Sequence, residues 1–443
     1  MANYFRPEKK QTERYFDLAI TDLDGRCRGV GKTPDRTWFV PGAVTGDRIR
    51  AERKEISGKT GLAVVQKFHV RSPLRVEHDR CSFAGACGGC SCRAVPPEMQ
   101  LDAKRQGLIQ VFRKNVGVEL PEPDRIEAGS FEGYRRICRL STYYSREDGR
   151  LQVGFRKASS NRIAEITSCP VLKDELSSLL PALRTVLNEL SCRSFVGHVE
   201  LLSADNGVFV LIRINRPAGT EDLAVLQSWM RQNNCYVYVQ DHDGVTVPAD
   251  GSVPLAQIHA GGVSFSFTPD AFVQINADVN ESMIATVLDY LSPAVDGSYL
   301  DLFSGIGNFS LPLAQKAGHV TGVEVVPSMV TLAGENAAAN GISNAEFVCC
   351  DLASDFSSES FARRKWDGIV LDPGRSGAEK AVPFVAGCRP GRVVYVSCNP
   401  ITATRDFRML KDAGYSISAW SMFNMFPHTE HVETVVLLSR DKA

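Results

Sequence analysis

No stretch of the 443-residue chain approaches the ~20 consecutive apolar residues that a membrane span requires. The N-terminal sequence MANYFRPEKKQTERYF is charged throughout and has none of the apolar core a secretory leader uses, so a cytoplasmic protein without membrane attachment is expected. A surplus of one charge is missing too. Fifty Lys and Arg face 51 Asp and Glu, and the net of −1 excludes a uniformly basic nucleic-acid protein. There is no repeat and no low-complexity tract. What remains is an ordinary globular composition, 44% hydrophobic and 23% charged, at a length that suits about three domains. The 13 cysteines, an odd number without a leader, argue against a disulfide framework and for metal-binding or catalytic use of some of them. Cys27, Cys138, Cys192, Cys235, Cys349, Cys350 and Cys388 are expected to be buried and inert.

The neutral total hides an asymmetry. Residues 1–72 hold 15 Lys/Arg and 9 Asp/Glu, a net of +6, and the rest of the chain is left at −7. A second basic stretch at 133–162 carries Arg135, Arg136, Arg139, Arg146, Arg150, Arg156, Lys157 and Arg162 against Glu147 and Asp148. Residues 13–70 alternate β-rich stretches (15–20, 37–40, 48–52, 61–68) with turn signals at Asp24-Gly25 and Pro41-Gly42, which predicts a small β-barrel. Its cations, with Trp38 and Phe39 among them, suit a nucleic-acid backbone; a solvated barrel face is the plainer reading. From 71 to 270 the pattern is mixed, with a helix near 97–115 and strands at 151–156, 196–202 and 207–214. Beyond 271, strands at 299–303, 319–324, 346–351, 368–372 and 392–397 alternate with helical spacers, the pattern of a doubly wound parallel sheet in an α/β domain.

The first of those strands runs into Asp301-Leu302-Phe303-Ser304-Gly305-Ile306-Gly307-Asn308-Phe309, where two glycines permit a tight turn before a helix. Such a turn suits a dinucleotide or an S-adenosyl cofactor, or is merely structural. Glu324, ending the next strand, suits ribose hydroxyls in either ligand. Asp351 ends the third strand, and Asp372-Pro373-Gly374-Arg375 follows the fourth, all at the edge where α/β ligands bind. Enzymes that methylate exocyclic amines resemble one another in placing an aromatic residue after Asp/Asn-Pro-Pro; Arg375 stands there, which disfavours amine methylation.

The fifth strand delivers Ser397-Cys398-Asn399-Pro400 and a helix over 401–411, with Asn399 as N-cap and Pro400 at the first helical position. A thiol at the positive end of a helix is expected to favour the thiolate, although a buried strand-end residue is the commoner fate of a single cysteine. The run from Met425 to Glu433 collects ionisable groups ahead of a last strand at 434–439. Methylating a pyrimidine at C5 requires a nucleophile and a base. A thiolate adds to C6 and makes an enolate, C5 attacks the methyl sulfonium, and a base removes the C5 proton before the thiolate leaves. Cys398 and Glu433 fit those roles, while His428 and His431 read as hydrogen-bonding residues at least as readily as catalytic ones.

Cys81-x5-Cys87-Gly88-Gly89-Cys90 places three thiols within ten residues. Zinc ordinarily uses paired CxxC knuckles, whereas three clustered cysteines and a distant fourth suit a four-iron cluster. Cys169 is the expected fourth ligand and Cys92 the competitor, its spacing from Cys90 being awkward for joint ligation. Methyl transfer needs no electrons, so the cluster is expected to organise the central region.

These residues together, Cys81/Cys87/Cys90/Cys169, the 301–309 turn, Glu324, Glu335-Asn336-Ala337 with Asn340-Gly341, Asp372-Pro373, Ser397-Cys398-Asn399-Pro400, and Phe426-Pro427 with His431-Val432-Glu433, resemble the RNA 5-methyluridine methyltransferases over nearly the whole chain. The resemblance implies an OB-like RNA-binding barrel of the TRAM type over 1–70 and a central α+β iron–sulfur domain over 71–270, whose helix near 97–115 packs on the catalytic domain. Over 271–443 it implies a Rossmann-like S-adenosylmethionine-dependent methyltransferase domain. It implies Cys398 as nucleophile and Glu433 as base, and a [4Fe–4S] cluster on Cys81, Cys87, Cys90 and Cys169. Gln274, in Phe272-Val273-Gln274-Ile275-Asn276, is implied as a cofactor contact, as are Phe303, Asn308, Glu324, Asp351 and Asp372. Possession of both barrel and cysteines resembles the branch acting on 23S ribosomal RNA at a uridine of the position-1939 type; another rRNA or tRNA uridine is the alternative. A monomer without an obligate protein partner is expected. Gly374 stands where many members have a second proline, and Cys92 where glutamine is more usual. Two rivals remain: a non-catalytic RNA-binding protein that keeps the fold, and a 5-methylcytidine enzyme, which the lack of a cysteine after the fourth strand disfavours.

Overall fold

Along Arg48–Ser57, Ile49 and Ala51 turn inward while Arg48 and Arg50 turn to solvent, the period-two pattern that a half-buried strand requires. Tyr15–Leu23, Gly29–Thr33, Arg36–Val40 and Thr60–Val70 join it in a closed five-stranded barrel of order 1-2-3-5-4. Its core is Leu18, Ile20, Trp38, Val40, Ile49, Ala51 and Ala63. A Cβ at Gly61 would lie 2.4 Å from the Trp38 ring, so only glycine lets the indole fill the barrel there. The strand Gly29–Thr33 escaped the sequence pattern because its two glycines remove the β-branched signal.

The computed structural model describes residues 14–244, 246–249 and 255–440, and the chain divides into two compact units. One holds the chain up to Asp79 together with Cys90–Gly107 and His428–Glu430; the other holds Arg80–Gly89, Leu108–Pro427 and the chain from His431 onward. In the first unit, the barrel is joined by a small core of Cys27, Val44, Cys92, Val95 and Ala103, closed by the Gln100 amide, which donates to the carbonyls of Val95 at 2.7 Å and Cys92 at 3.1 Å.

Among its described residues the larger unit contains a two-stranded hairpin, Ala256–Ala260 with Val263–Phe267, and two larger sheets. Seven strands, from Ile137–Ser145 to Thr246–Pro248, form a sheet backed by the helix Asp174–Glu189. Leu176, Leu180, Leu183 and Leu187 recur at helical spacing on its buried side. The second sheet has eight strands. Ser298–Leu302, His319–Glu324, Ala345–Cys349, Gly368–Leu371 and Arg392–Ser397 are parallel, in the order third, second, first, fourth, fifth. Glu433–Arg440 then inserts antiparallel between Arg392–Ser397 and Tyr415–Phe423. The strand order reverses between the first and fourth strands, which opens a crevice at their carboxyl ends. The last member is unexpected: Arg125–Glu127, far upstream in sequence, pairs in parallel with Tyr415–Phe423. Three residues are too short to carry a periodic signal.

The helix Pro97–Val116 begins in the smaller unit, and its last turns belong to the larger one, where Phe112 packs on Phe407 at 5.5 Å between ring centroids and Asn115 donates to Thr404 Oγ1 at 3.1 Å. Among the described residues no helix is long and apolar enough to cross a membrane.

Candidate active site

At the end of the first parallel strand the backbone reverses sharply. Phe303 takes a left-handed conformation, φ +69°, rare for a residue with a Cβ, and the N–H groups of Phe303 and Ser304 both donate to the Val323 carbonyl, at 2.9 and 3.0 Å. Gly307 at φ +95° continues the turn. Gly305 N–H donates to Glu324 Oε2 at 3.1 Å, while Val325 and Val326 N–H donate to Oε1 at 2.9 and 3.0 Å, so three backbone amides fix this carboxylate. Beneath the turn Asp301 is fully buried, accepting from Ser310 Oγ at 2.5 Å; burial pushes its carboxyl up to about 7, with the charges of Asp372 and Glu324 adding to the effect.

A cavity of about 260 Å³ opens here, lined by Phe303, Glu324, Cys350, Asp351, Leu352 and Lys380 among others. Three of the six residues expected to hold the cofactor thus share one wall. The Asp351 carboxylate is aimed by Ser354 Oγ at 2.7 Å and Ala353 N–H at 2.9 Å, bonds that hold it below the ordinary carboxylate range. Cys350, read from sequence as buried and inert, is a lining residue, and Cys349 is exposed; the strand ends at Cys349, two residues earlier than the sequence suggests. Gln274 and Asn308 do not line this cavity. Asn308 instead exchanges two hydrogen bonds with Asn280, at 2.9 and 3.1 Å, on the helix Ala277–Leu291. Asn276 caps that helix through Val279 N–H at 3.4 Å, two residues after Gln274.

Strand register sets the two residues expected to react. Val396 pairs with Val435 and Ser397 with Thr434, the last pair of the ladder; Cys398 and Glu433 follow directly beyond it, near enough that the Glu433 charge bears on the Cys398 thiol. Asn399 caps the following helix, Pro400–Asp412, its Oδ1 accepting from Ile401 N–H at 3.2 Å. Its amide donates to the Arg375 carbonyl at 2.9 Å, and Thr402 Oγ1 donates to the same oxygen at 3.1 Å. Deeper in the helix, buried Asp406 accepts from Tyr395 Oη and from Ala378 N–H, both at 2.6 Å. The loop after Asp372 is thereby fastened to the helix that starts beside Cys398. Sequence reasoning missed Asp406; a carboxylate on the same helical face as Ala403, Phe407 and Leu410 was the available signal.

The electrostatics correct one expectation. Burial, with the nearby charges of Glu433 and Asp372, pushes the Cys398 thiol up to about 11, and Arg375 opposes this only in part. A helix end contributes ~0.3–1 kcal/mol, too little to reverse burial beside two carboxyls. Glu433, fully buried, is held well above the carboxylate range by burial and by Asp372, and burial brings Asp372 up to about 7. His428 is structural: burial pushes it down to about 4, and its neutral ring nitrogen Nδ1 lies 3.2 Å from the Gln100 amide nitrogen. His431 stands edge-on to the Phe426 ring at 5.7 Å.

Of the clustered cysteines, Cys81, Cys87 and Cys169 lie close enough for charge on one to raise the thiol of another, and all three are partly exposed. Gly89 N–H points at Cys87 Sγ at 3.4 Å, and a Cβ at Gly88 would meet the Arg156 carbonyl at 2.9 Å. Cys90 belongs to the smaller compact unit. Among the described residues no group of three or more His, Cys, Asp or Glu side chains is drawn together as a metal site. Cys92, the competing ligand, is fully buried against Cys27 in the smaller unit's own core. Cys27, Cys138, Cys192 and Cys235 are buried as expected.

The basic stretches separate by exposure. Arg139, Arg146, Arg150, Arg156, Lys157 and Arg162 are exposed, but Arg136 is buried and unavailable to a partner. On the barrel, Arg28 sits over Phe39 at 4.6 Å, Arg36 over Trp38 at 5.5 Å and Arg71 over Phe68 at 4.8 Å. Arg6, Lys9 and Lys10 lie outside the described residues.

A doubly wound sheet whose acidic strand ends and glycine turn surround one crevice is the architecture of an α/β-class methyltransferase. The model of the tRNA (Uracil-5-)-methyltransferase family matches residues 97–441, and the chain belongs to that family. It is 37% identical over 447 residues to a 23S rRNA (uracil(1939)-C(5))-methyltransferase RlmD of Tolumonas auensis, covering 99% of this chain and 100% of the relative. It is likewise 37% identical, over 441 residues, to a protein of the same name from Aeromonas hydrophila, with 99% and 100% covered. Among solved structures, the Pyrococcus abyssi tRNA (uracil-54, C5)-methyltransferase in complex with S-adenosyl-L-homocysteine superposes with a TM-score of 0.74, covering 95% of this chain and 99% of that one. At 22% identity that likeness is one of fold.

Proposed function

We propose that this protein transfers a methyl group from S-adenosylmethionine to C5 of a uridine in 23S ribosomal RNA, of the kind at position 1939. The observation that carries the reading is the nearness of Cys398 to Glu433, just beyond the last strand pair, at the carboxyl edge of the sheet whose crevice Phe303, Glu324 and Asp351 line. The full-length relatives of that name support the RNA and the position.

Bound S-adenosylmethionine supplies an electrophilic methyl group. The cavity beside the glycine turn suits its nucleoside: the Glu324 carboxylate, fixed by three amides, accepts from ribose hydroxyls, and the Asp351 carboxylate is aimed from the neighbouring strand end. Asn308 is held by Asn280 of the helix Ala277–Leu291, Gln274 lies three residues before that helix, and the Asp372 charge bears on both Cys398 and Glu433. The uridine leaves its stack to reach Cys398. Cys398 adds to C6, and the electron pair moves to C5 as an enolate; C5 takes the methyl group; Glu433 removes the C5 proton; the C6–sulfur bond breaks and Cys398 is restored. Burial raises both groups, so Cys398 gives up its proton to solvent before it adds to C6 and Glu433 is ionised before it takes the C5 proton, and both ionise more readily once a positive sulfonium lies near them.

A [4Fe–4S] cluster on Cys81, Cys87, Cys90 and Cys169 belongs to the same reading. The mutual influence of Cys81, Cys87 and Cys169, and the Gly89 N–H directed at Cys87 Sγ, fit thiolate ligands of such a group. Its contribution is to the fold of the central region. The arginines over Phe39 and Phe68 on the barrel and the exposed arginines of 133–162 bind the RNA backbone, and the enzyme acts as a cytoplasmic monomer; Trp38, expected to face the nucleic acid, is buried in the barrel core.

RNA carrying 5-fluorouridine at the target tests the chemistry, because C5 then has no proton for Glu433 to remove. The wild type is expected to form an adduct that survives denaturing electrophoresis, and Cys398→Ala to form none. An adduct that persists in Cys398→Ala removes the nucleophile assignment, and methylation of tRNA but not 23S rRNA removes the substrate.

A further inference from the structure

Arg136 is a cation buried to 4% exposure, and the chemistry above does not use it. Its Nε donates to the Gln274 carbonyl at 2.8 Å, and its backbone N–H donates to the Ile275 carbonyl at 2.9 Å. The adjacent Arg135 forms a bridge to Asn276. Two neighbouring residues therefore hold three consecutive positions of the segment that carries Gln274. On its other side the same segment is tied down by the Asn276 cap of the helix Ala277–Leu291, whose Asn280 is locked to Asn308.

The strip that does the holding is itself anchored. The Arg136 carbonyl accepts from Ser203 N–H at 2.8 Å. Gly133 N–H donates to the Pro170 carbonyl and Arg135 N–H to the Val171 carbonyl, both at 2.9 Å, and Lys173 N–H donates back to the Arg135 carbonyl at 3.0 Å. Burying a guanidinium costs several kcal/mol unless its hydrogen bonds repay it, and here one terminal nitrogen, Nη2, has no hydrogen-bond partner. Asp205 and Asp278 supply opposing charge. A methionine of similar length would fill the space without that cost. What the arginine adds is one directed bond, to the carbonyl of Gln274.

We propose that Arg136 is a positioning residue for S-adenosyl cofactor binding: it fixes the backbone at Gln274 and so sets where that side chain meets the cofactor. The inference rests on the assignment of Gln274 to the cofactor in the proposed function. Its effect is on cofactor affinity, since the bonds that Arg136 itself donates run to the carbonyls of Gln274 and Ile275.

The test is calorimetric binding of S-adenosylhomocysteine to the purified full chain, for Arg136→Met, Arg136→Lys and Gln274→Ala, with steady-state methylation alongside. Arg136→Met is expected to weaken binding about tenfold and raise KM for S-adenosylmethionine by a similar factor, with kcat at saturating cofactor and affinity for the RNA unchanged, the pattern of lost uniform binding. Arg136→Lys, which can still donate to the carbonyl, is expected to recover most of the affinity. If Gln274→Ala weakens binding and neither Arg136 variant does, the positioning role is wrong while the cofactor assignment stands. If Gln274→Ala binds like the wild type, the assignment fails and the inference falls with it. Equal losses in kcat, RNA affinity and melting temperature in both Arg136 variants would overturn the proposal in favour of a purely structural arginine.

Discussion

Cys398 shows how burial and charge decide a residue's chemistry. Its sequence context, one position before a capped helix, points toward an ionised sulfur, yet desolvation and the facing carboxyls hold the thiol up to about 11. At pH 7 about one molecule in ten thousand then carries the thiolate. The sign is that of an acid whose charged form is disfavoured, so reactivity grows as pH rises. Alkylation of Cys398 by iodoacetamide in the ligand-free enzyme, followed by peptide mass analysis, is expected to be slow at pH 7 and to accelerate about tenfold per pH unit through pH 9. A rate already level above pH 7 would mean an ordinary activated cysteine. The nearness of Cys398 to Glu433 could be expected from the sequence, because Ser397-Cys398-Asn399-Pro400 and Glu433 sit at the ends of readable strands. The protonation state could not, because it depends on Asp372 and Arg375, which come from a different strand end.

At the scale of elements, the turn into the helix Pro400–Asp412 does more than cap it. Asn399 joins two things: the Ile401 N–H of the first helical turn and the Arg375 carbonyl of the loop that follows Asp372, an oxygen to which Thr402 Oγ1 also donates. Asn399→Ala is expected to lower stability by about 1 kcal/mol from the lost cap alone. Its methyl-transfer rate is expected to fall further than that loss explains, because the Arg375 loop is released beside Cys398; urea denaturation and initial rates on the same sample separate the two effects. Unchanged activity would show that the loop is held by Thr402 and Asp406 without it. The five parallel strands and this helix were readable from periodicity and caps. The edge strand Arg125–Glu127 and the barrel strand Gly29–Thr33 were not, since one is short and the other rich in glycine. Arg136 was misread as part of a basic surface because charge patterning carries no information on burial.

For the molecule as a whole, the sequence's division at residues 70 and 270 meets a chain that returns. Cys90–Gly107 and His428–Glu430 lie with the barrel segment, and Arg125–Glu127 lies with the catalytic sheet. No local signal marks such returns, which depend on pairings hundreds of residues apart. The cysteine set is part of this long-range organisation. Iron and acid-labile sulfide assayed in anaerobically purified protein are expected at about four of each per chain, the stoichiometry of one cuboidal cluster. Stoichiometric zinc instead would replace the cluster with a structural zinc site. The eight-stranded sheet also imposes an order in time. Arg125–Glu127 pairs with Tyr415–Phe423, about 290 residues later, so at the usual pace of translation it waits roughly 15–60 s for its neighbour. The strand that begins with Glu433 emerges later still, only to insert between two strands already made. Among the described strands, the one that Glu433 opens is thus the last to be laid down, and the eight-stranded sheet closes only after every other member has been made.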